Sequence, residues 1–127
     1  MRLLATGLRA FSFNKLTPHM SSDIPESDWR RFKEVHAKLS ERYCSRILDE
    51  VVGTSQSPGG SAHERYLKVY KLLMDRDKQM SNAFDDFRRS TAVMQLGIMR
   101  RMKLLTDEEL SLFSEQTRTR VEGIASL

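Results

Sequence analysis

The chain has 127 residues, 39% of them apolar and 30% charged, with only six Gly and three Pro. That balance excludes wholesale disorder and a turn-rich β fold, and the length suits one domain whose modest core a partner chain would complete. The net charge is +4, but residues 1–19 carry Arg2, Arg9 and Lys15 without an acid; the remainder holds 18 basic and 17 acidic residues, a net of +1, which is poor evidence for a phosphate-binding surface.

Cys44 is the single cysteine, so no intrachain disulfide can form. No apolar run approaches the roughly 20 residues that span a bilayer. Together these features give the expectation of a cytoplasmic protein without a transmembrane segment.

Residues 1–24 form a basic leader in which Leu3, Leu4, Leu8 and Phe11 recur at helical spacing beside Arg2 and Arg9. Three readings stand: an extension upstream of a true start at Met20, a flexible tail, or a membrane-surface or organelle-targeting segment. The leader lacks the apolar centre of a secretory signal.

The first helix is expected over residues 25–52. Pro25 suits a first turn, and Glu26 and Asp28 complement the helix dipole. Trp29, Phe32, Val35 or His36, Leu39, Tyr43, Ile47 and Val51 form one apolar stripe. Gly53 is the expected stop, and Gly53–Gly60 (GTSQSPGG) is a helix–helix connection.

Ser61 and Glu64 form a capping box that starts a second, longer helix over residues 61–103. Tyr66, Tyr70, Leu73, Met80, Phe84, Phe87, Met94, Ile98 and Met102 mark its inward face, and Asp77 shares their phase. Such a helix would run about 60 Å against about 40 Å for the first. The surplus calls for a bend or a partner chain, with Gly97 marking either a bend or a close approach by another helix. Thr106 then caps a short helix over 107–113, Ser114 caps another over 114–122, and residues 123–127 form a frayed tail. The expected fold is all-α: a helical hairpin with one long helix, closed as a small bundle by one or two short C-terminal helices.

Candidate chemistry is sparse. The histidines His19, His36 and His63 lack chelating spacing, and there is no CxxC or Glu-x-x-His, so no metal or cofactor is expected. Cys44 reads as a small core residue, with His36 too far along the helix to activate it. The Gly59-Gly60-Ser61 run follows a helix rather than a strand and has no Walker lysine. Asp77 reads as a seam salt bridge, for example with Arg42 or Arg46. Arg88-Arg89-Ser90-Thr91 matches a basophilic kinase consensus but falls mid-helix. Arg88, Arg89, Arg100, Arg101 and Lys103 could form a phosphate-contacting stripe. The methionines of the second helix read as core filler. An enzyme would require His36, His63 and Asp77 to meet around one polar pocket.

The segment SAHERYLKVYKLLMDRDKQMSNAFDDFRRSTAVMQL, with DWRRFKEVHAKLSERYC before it and LLTDEELSLFSEQTR after it, resembles a group of short uncharacterised bacterial all-helical proteins. The resemblance covers residues 24–121 and implies a stand-alone bacterial unit, with no chemistry attached. Within it, His63, Glu64, Arg65, Arg76, Asp77, Arg88, Arg89, Ser90 and Gln95 are the polar positions to test first. The expectation is a non-catalytic interaction or regulatory module that acts as a homodimer. Nucleic-acid binding through the basic stripe is the alternative. Asp77, Arg88, Arg89, Arg100, Arg101 and Lys103 are the candidate interaction residues.

Overall fold

The computed structural model describes residues 24–127; the expectations for the leader up to residue 23, including Met20 as the start, lie outside them. The described residues contain five α-helices and no strand: α1 (Glu26–Ser55), α2 (Ala62–Met80), α3 (Ala92–Arg101), α4 (Asp107–Leu110) and α5 (Glu115–Ala125). The all-α expectation holds. No helix among them is long and apolar enough to cross a membrane.

The single long second helix does not form. Residues 61–103 are divided into α2 and α3 by a π turn (Ser81–Asp85) and a 3-10 turn (Arg89–Thr91). The reason is local: Ser81, Asn82, Asp85, Asp86, Ser90 and Thr91 are weak helix formers that favour bonds to nearby backbone. The Thr91 hydroxyl donates to the Asp86 carbonyl and accepts from the Arg88 N–H, while the Arg88 guanidinium grips the Asp86 carboxylate at 2.8 and 3.0 Å. The kinase-like tetrapeptide therefore lies in this break rather than mid-helix. The longest helix is α1, at 30 residues, or about 45 Å.

The break changes which residues face inward. Phe84 is buried and Phe87 turns back on α1, where it stacks on His36 (ring centroids 3.8 Å apart) and meets Trp29 (5.3 Å) and Phe32 (5.4 Å). Beyond the break Ala92, Val93, Leu96 and Met99 are buried and Met94 is exposed, while Ile98 and Met102 are half-buried against the core, so the predicted inward phase holds there only in part. The stripe on α1 is as expected: Phe32, Val35, Leu39 and Tyr43 are buried. Ile24, placed in the leader by sequence, is buried in the same core.

Gly97 does not bend α3. It sits where α5 crosses: a Cβ built there would lie 2.4 Å from Cγ2 and 2.6 Å from Cβ of Ile124. Of the two roles expected for it, close approach is the one observed. The predicted stop at Gly53 is also overrun, since α1 continues to Ser55, and α5 runs through Gly123 to Ala125 where a frayed tail was expected. The real left-handed turns of the connection are at Gly59 (φ 85°) and Gly60 (φ 78°). Both capping boxes form as predicted, Ser61 with Glu64 and Thr106 with Glu109.

Two carboxylates fasten the body. Asp28, expected only to complement a dipole, is buried and accepts from the Ser114 N–H (3.0 Å), the Ser114 hydroxyl (2.6 Å) and the Thr117 hydroxyl (2.6 Å). Burial pushes its carboxyl up, but those bonds and the charge of Arg118 outweigh it and hold the group below the ordinary value. Glu109 receives both terminal nitrogens of Arg42 at 2.9 Å. That pairing, opposed by burial and helped by Thr106, draws its pKa from 4.5 down to about 2. A carboxylate stabilised this way contributes fully above pH 4.5 and loses its contribution as pH falls through 2. Glu109→Gln should therefore cost about 2 kcal/mol at neutral pH. The gap in urea midpoint between parent and variant should close as the pH is lowered below 4.5; a gap independent of pH would refute the pairing.

Candidate functional site: the two-helix arm

The C-terminal half of α1 and nearly all of α2 leave the body as an antiparallel arm. From Cys44 to Gln79 no residue is fully buried. Pairing along the arm fixes its register. The Tyr43 hydroxyl donates to Gln79 Oε1 (2.7 Å), Arg76 makes a two-pronged bond to Glu50 (2.8 and 2.9 Å), and Arg65 near the tip donates to the carbonyls of Ser55 and Gly60. Ile47, Val51 and Thr54 on α1, and Arg65, Val69, Leu72 and Arg76 on α2, are the half-buried seam.

The exposed apolar residues follow the seam by one position. Leu48 and Val52 follow Ile47 and Val51; Tyr66, Tyr70 and Leu73 follow Arg65, Val69 and Leu72. One residue is a rotation of about 100°, and in two antiparallel helices that rotation carries both stripes to the same side. Leu48 is 63% exposed, Tyr66 62% and Tyr70 56%. Leu67 and Met74 are exposed at the stripe's outer margin. At its base a groove of about 270 Å³ is lined by Cys44, Ile47, Leu73, Arg76, Asp77 and Met80. The opposite side of the arm is polar. There a groove of about 500 Å³ is lined by Tyr43, Arg46, Asp49, Glu50, Arg76, Gln79 and Met102. The body lies on this polar side, held by Arg46, which donates to the carbonyls of Met102 and Lys103.

Tyr66, Tyr70 and Leu73 thus point away from the seam, although their spacing had placed them inside it. The signal was available: Val69 and Leu72 form a competing phase one residue earlier, and Arg65 and Arg76 share it.

The six candidate interaction residues do not gather into one site. Arg88 pairs with Asp86; Arg89 donates to the Ile24 carbonyl (3.0 Å) and Glu26 (2.8 Å). Arg100 bonds the Leu105 carbonyl, Asp107 and Glu122, and Arg101 bonds the Ile124 carbonyl. Lys103 is the left-handed residue (φ 62°) of the turn ending α3, where the N–H of Leu104 reaches the Met99 carbonyl and that of Lys103 reaches Arg100. Asp77 lies apart from these on the arm; Arg42 bonds Glu109 and the Leu104 carbonyl, and Arg46 bonds the carbonyls of Met102 and Lys103. Ser90 is exposed in the break and Gln95 is buried on α3.

His36, His63 and Asp77 do not share a pocket. His36 lies among Phe32, Phe84 and Phe87, and burial, partly offset by its bond with the Phe84 backbone, lowers its pKa. His63 is in the first turn of α2, near Tyr66, about 20 Å along the helix from Asp77. Among the described residues no three His, Cys, Asp or Glu side chains are placed to hold a metal ion. Comparison with protein-family models, with curated proteins and with solved structures finds no match to this chain.

Proposed function

We propose that this chain is a non-catalytic protein-interaction module of the cytoplasm that works as a homo-oligomer and uses the apolar side of the arm as its contact surface. The observation that carries the proposal is the stripe of Leu48, Val52, Tyr66, Tyr70 and Leu73, exposed on a hairpin that buries no residue completely along its length. Apolar side chains gathered on one side of a surface mark contact sites, and tyrosine is enriched in them. The phosphate-stripe alternative is less favoured, because Arg88, Arg89, Arg100 and Arg101 direct their donors to carboxylates and backbone carbonyls of the body.

Leu48→Glu and Tyr70→Glu should each abolish self-association in light scattering while leaving the helical circular dichroism spectrum intact, since both side chains are exposed in the single chain. A parent protein that stays monomeric at high micromolar concentration, or association that survives both substitutions, would overturn the reading. Salt-dependent binding of DNA or RNA would favour the alternative.

A further inference from the structure

We propose that His36 is a pH-sensitive latch: its neutral ring clamps the break between α2 and α3 onto α1, and a proton taken up at Nε2 in mildly acidic solution lets residues 84–91 lift away.

Position is the first argument. The imidazole stacks on Phe87 (centroids 3.8 Å apart, planes 17° apart) and meets Phe84 and Phe32 edge to face at 5.2 and 5.6 Å. Among the described rings of α1, only His36 touches both phenylalanines of the break. What it clamps is weakly built: a π turn and a 3-10 turn in succession, a pattern that often marks a hinge.

The environment of Nε2 is the second. This atom is closed to solvent and has no hydrogen-bond partner. The bond with the Phe84 backbone keeps the proton of the neutral ring on the other nitrogen, which leaves Nε2 to receive the second. A charged N–H would then lie among phenyl rings with no acceptor and no water. The near-parallel stack keeps it from pointing into the face of Phe87. The charged and titratable groups nearby are engaged elsewhere. On α1, Lys33 lies over Trp29 (5.5 Å) and the Tyr43 hydroxyl donates to Gln79. On the break, Arg88 grips Asp86 and Arg89 pairs with Glu26, while Asp85 Oδ2 is buried and makes no hydrogen bond, so no bond from the ring reaches it. Burial accordingly outweighs the Phe84 bond and holds the latched ring below the ordinary 6.5. An opened latch returns the ring to water and to that ordinary value. Closure is therefore favoured fully above pH 6.5, and between 6.5 and the lowered value each pH unit moves the balance tenfold toward the open form.

Trp29 is the single tryptophan and lies 5.3 Å from Phe87, so its exposure reports the latch. In the full chain, acrylamide quenching of its fluorescence should rise about twofold as the solution is taken from about pH 8 to about pH 5, with the helical circular dichroism retained. His36→Phe, which keeps a stacking ring without a nitrogen, should hold the low value throughout. His19→Gln combined with His63→Gln should titrate like the parent. A parent without the transition, or a His36→Phe variant that keeps it, would overturn the proposal. Should His36→Phe fail to fold, proton resonances of the double glutamine variant decide. The His36 ring and the Trp29 indole moving with one shared midpoint below 6.5 support the latch. Separate midpoints, or a ring that titrates at 6.5 or above, overturn it.

Discussion

Asp28→Ala should destabilise the domain by about 3 kcal/mol, for it removes a charged acceptor from three donors at once. Asp28 is only 3% exposed, and the donors left behind are the Ser114 N–H, the Ser114 hydroxyl and the fully buried Thr117 hydroxyl. No solvent can replace the carboxylate at Thr117 without opening the contact between α1 and the start of α5. In thermal unfolding the loss should appear as a fall of about 10 °C in melting temperature. Asp28→Asn separates charge from shape: it keeps one carbonyl acceptor but turns the other position into a donor that faces hydroxyls, so it should lie between parent and alanine variant. Because the native carboxyl is held below its ordinary 3.8, its contribution is complete above that pH and fades as the pH drops further. A melting temperature unchanged in Asp28→Ala would mean that α1 and α5 are not joined here.

Gly97→Val tests the other major contact of α5. Helix propensity alone favours any replacement of a mid-helix glycine, by up to about 1 kcal/mol for alanine and less for valine. The crossing decides the sign the other way. The new Cβ would fall 2.6 Å from Cβ of Ile124, an atom fixed to the α5 backbone, so no rotamer change can relieve it. Moving α5 would disturb the buried Val121 and Thr117 as well, and overpacking of this kind costs about 3 kcal/mol. Ile124→Gly in the same chain should recover part of that loss, a non-additivity expected only of residues in contact. A valine variant that melts higher than the parent would show that α3 and α5 do not cross at this point.

The legible parts of this sequence were those governed by local rules. The α1 stripe, both capping boxes and the Gly59-Gly60 turn depend on residues within one or two turns of each other, and all formed. The division of α2 from α3 was hidden because Phe84, Phe87 and Met94 continue an apolar spacing through residues that bond their own backbone instead. Once that spacing is interrupted, the inward face turns to Ala92, Val93, Leu96 and Met99, and Ile98 and Met102 keep only a half-buried place at its edge. Several partners of the basic residues were hidden for a different reason: they are distant in the chain, as with Arg42 and Glu109 or Arg89 and Glu26, and no spacing rule reports such pairs. The outward side of the arm was missed because the spacing of Tyr66, Tyr70 and Leu73 matches that of Met80 and Phe84 and assigned them to the interior. Only the placement of Val69 and Leu72 at the seam shows that the aromatic side faces out.

The bonds from Asp28 to Ser114 and Thr117 join residues 86 and 89 positions apart, and they carry a consequence for biosynthesis. The α1–α2 arm is stitched by neighbours in the chain and can assemble while translation is still under way. The Asp28 carboxylate, and the face of α3 around Gly97 that α5 crosses, have to wait uncovered until the last helix emerges from the ribosome. For that interval the nascent polypeptide displays two greasy surfaces instead of one, and a chaperone that holds the first would be released by the arrival of α5.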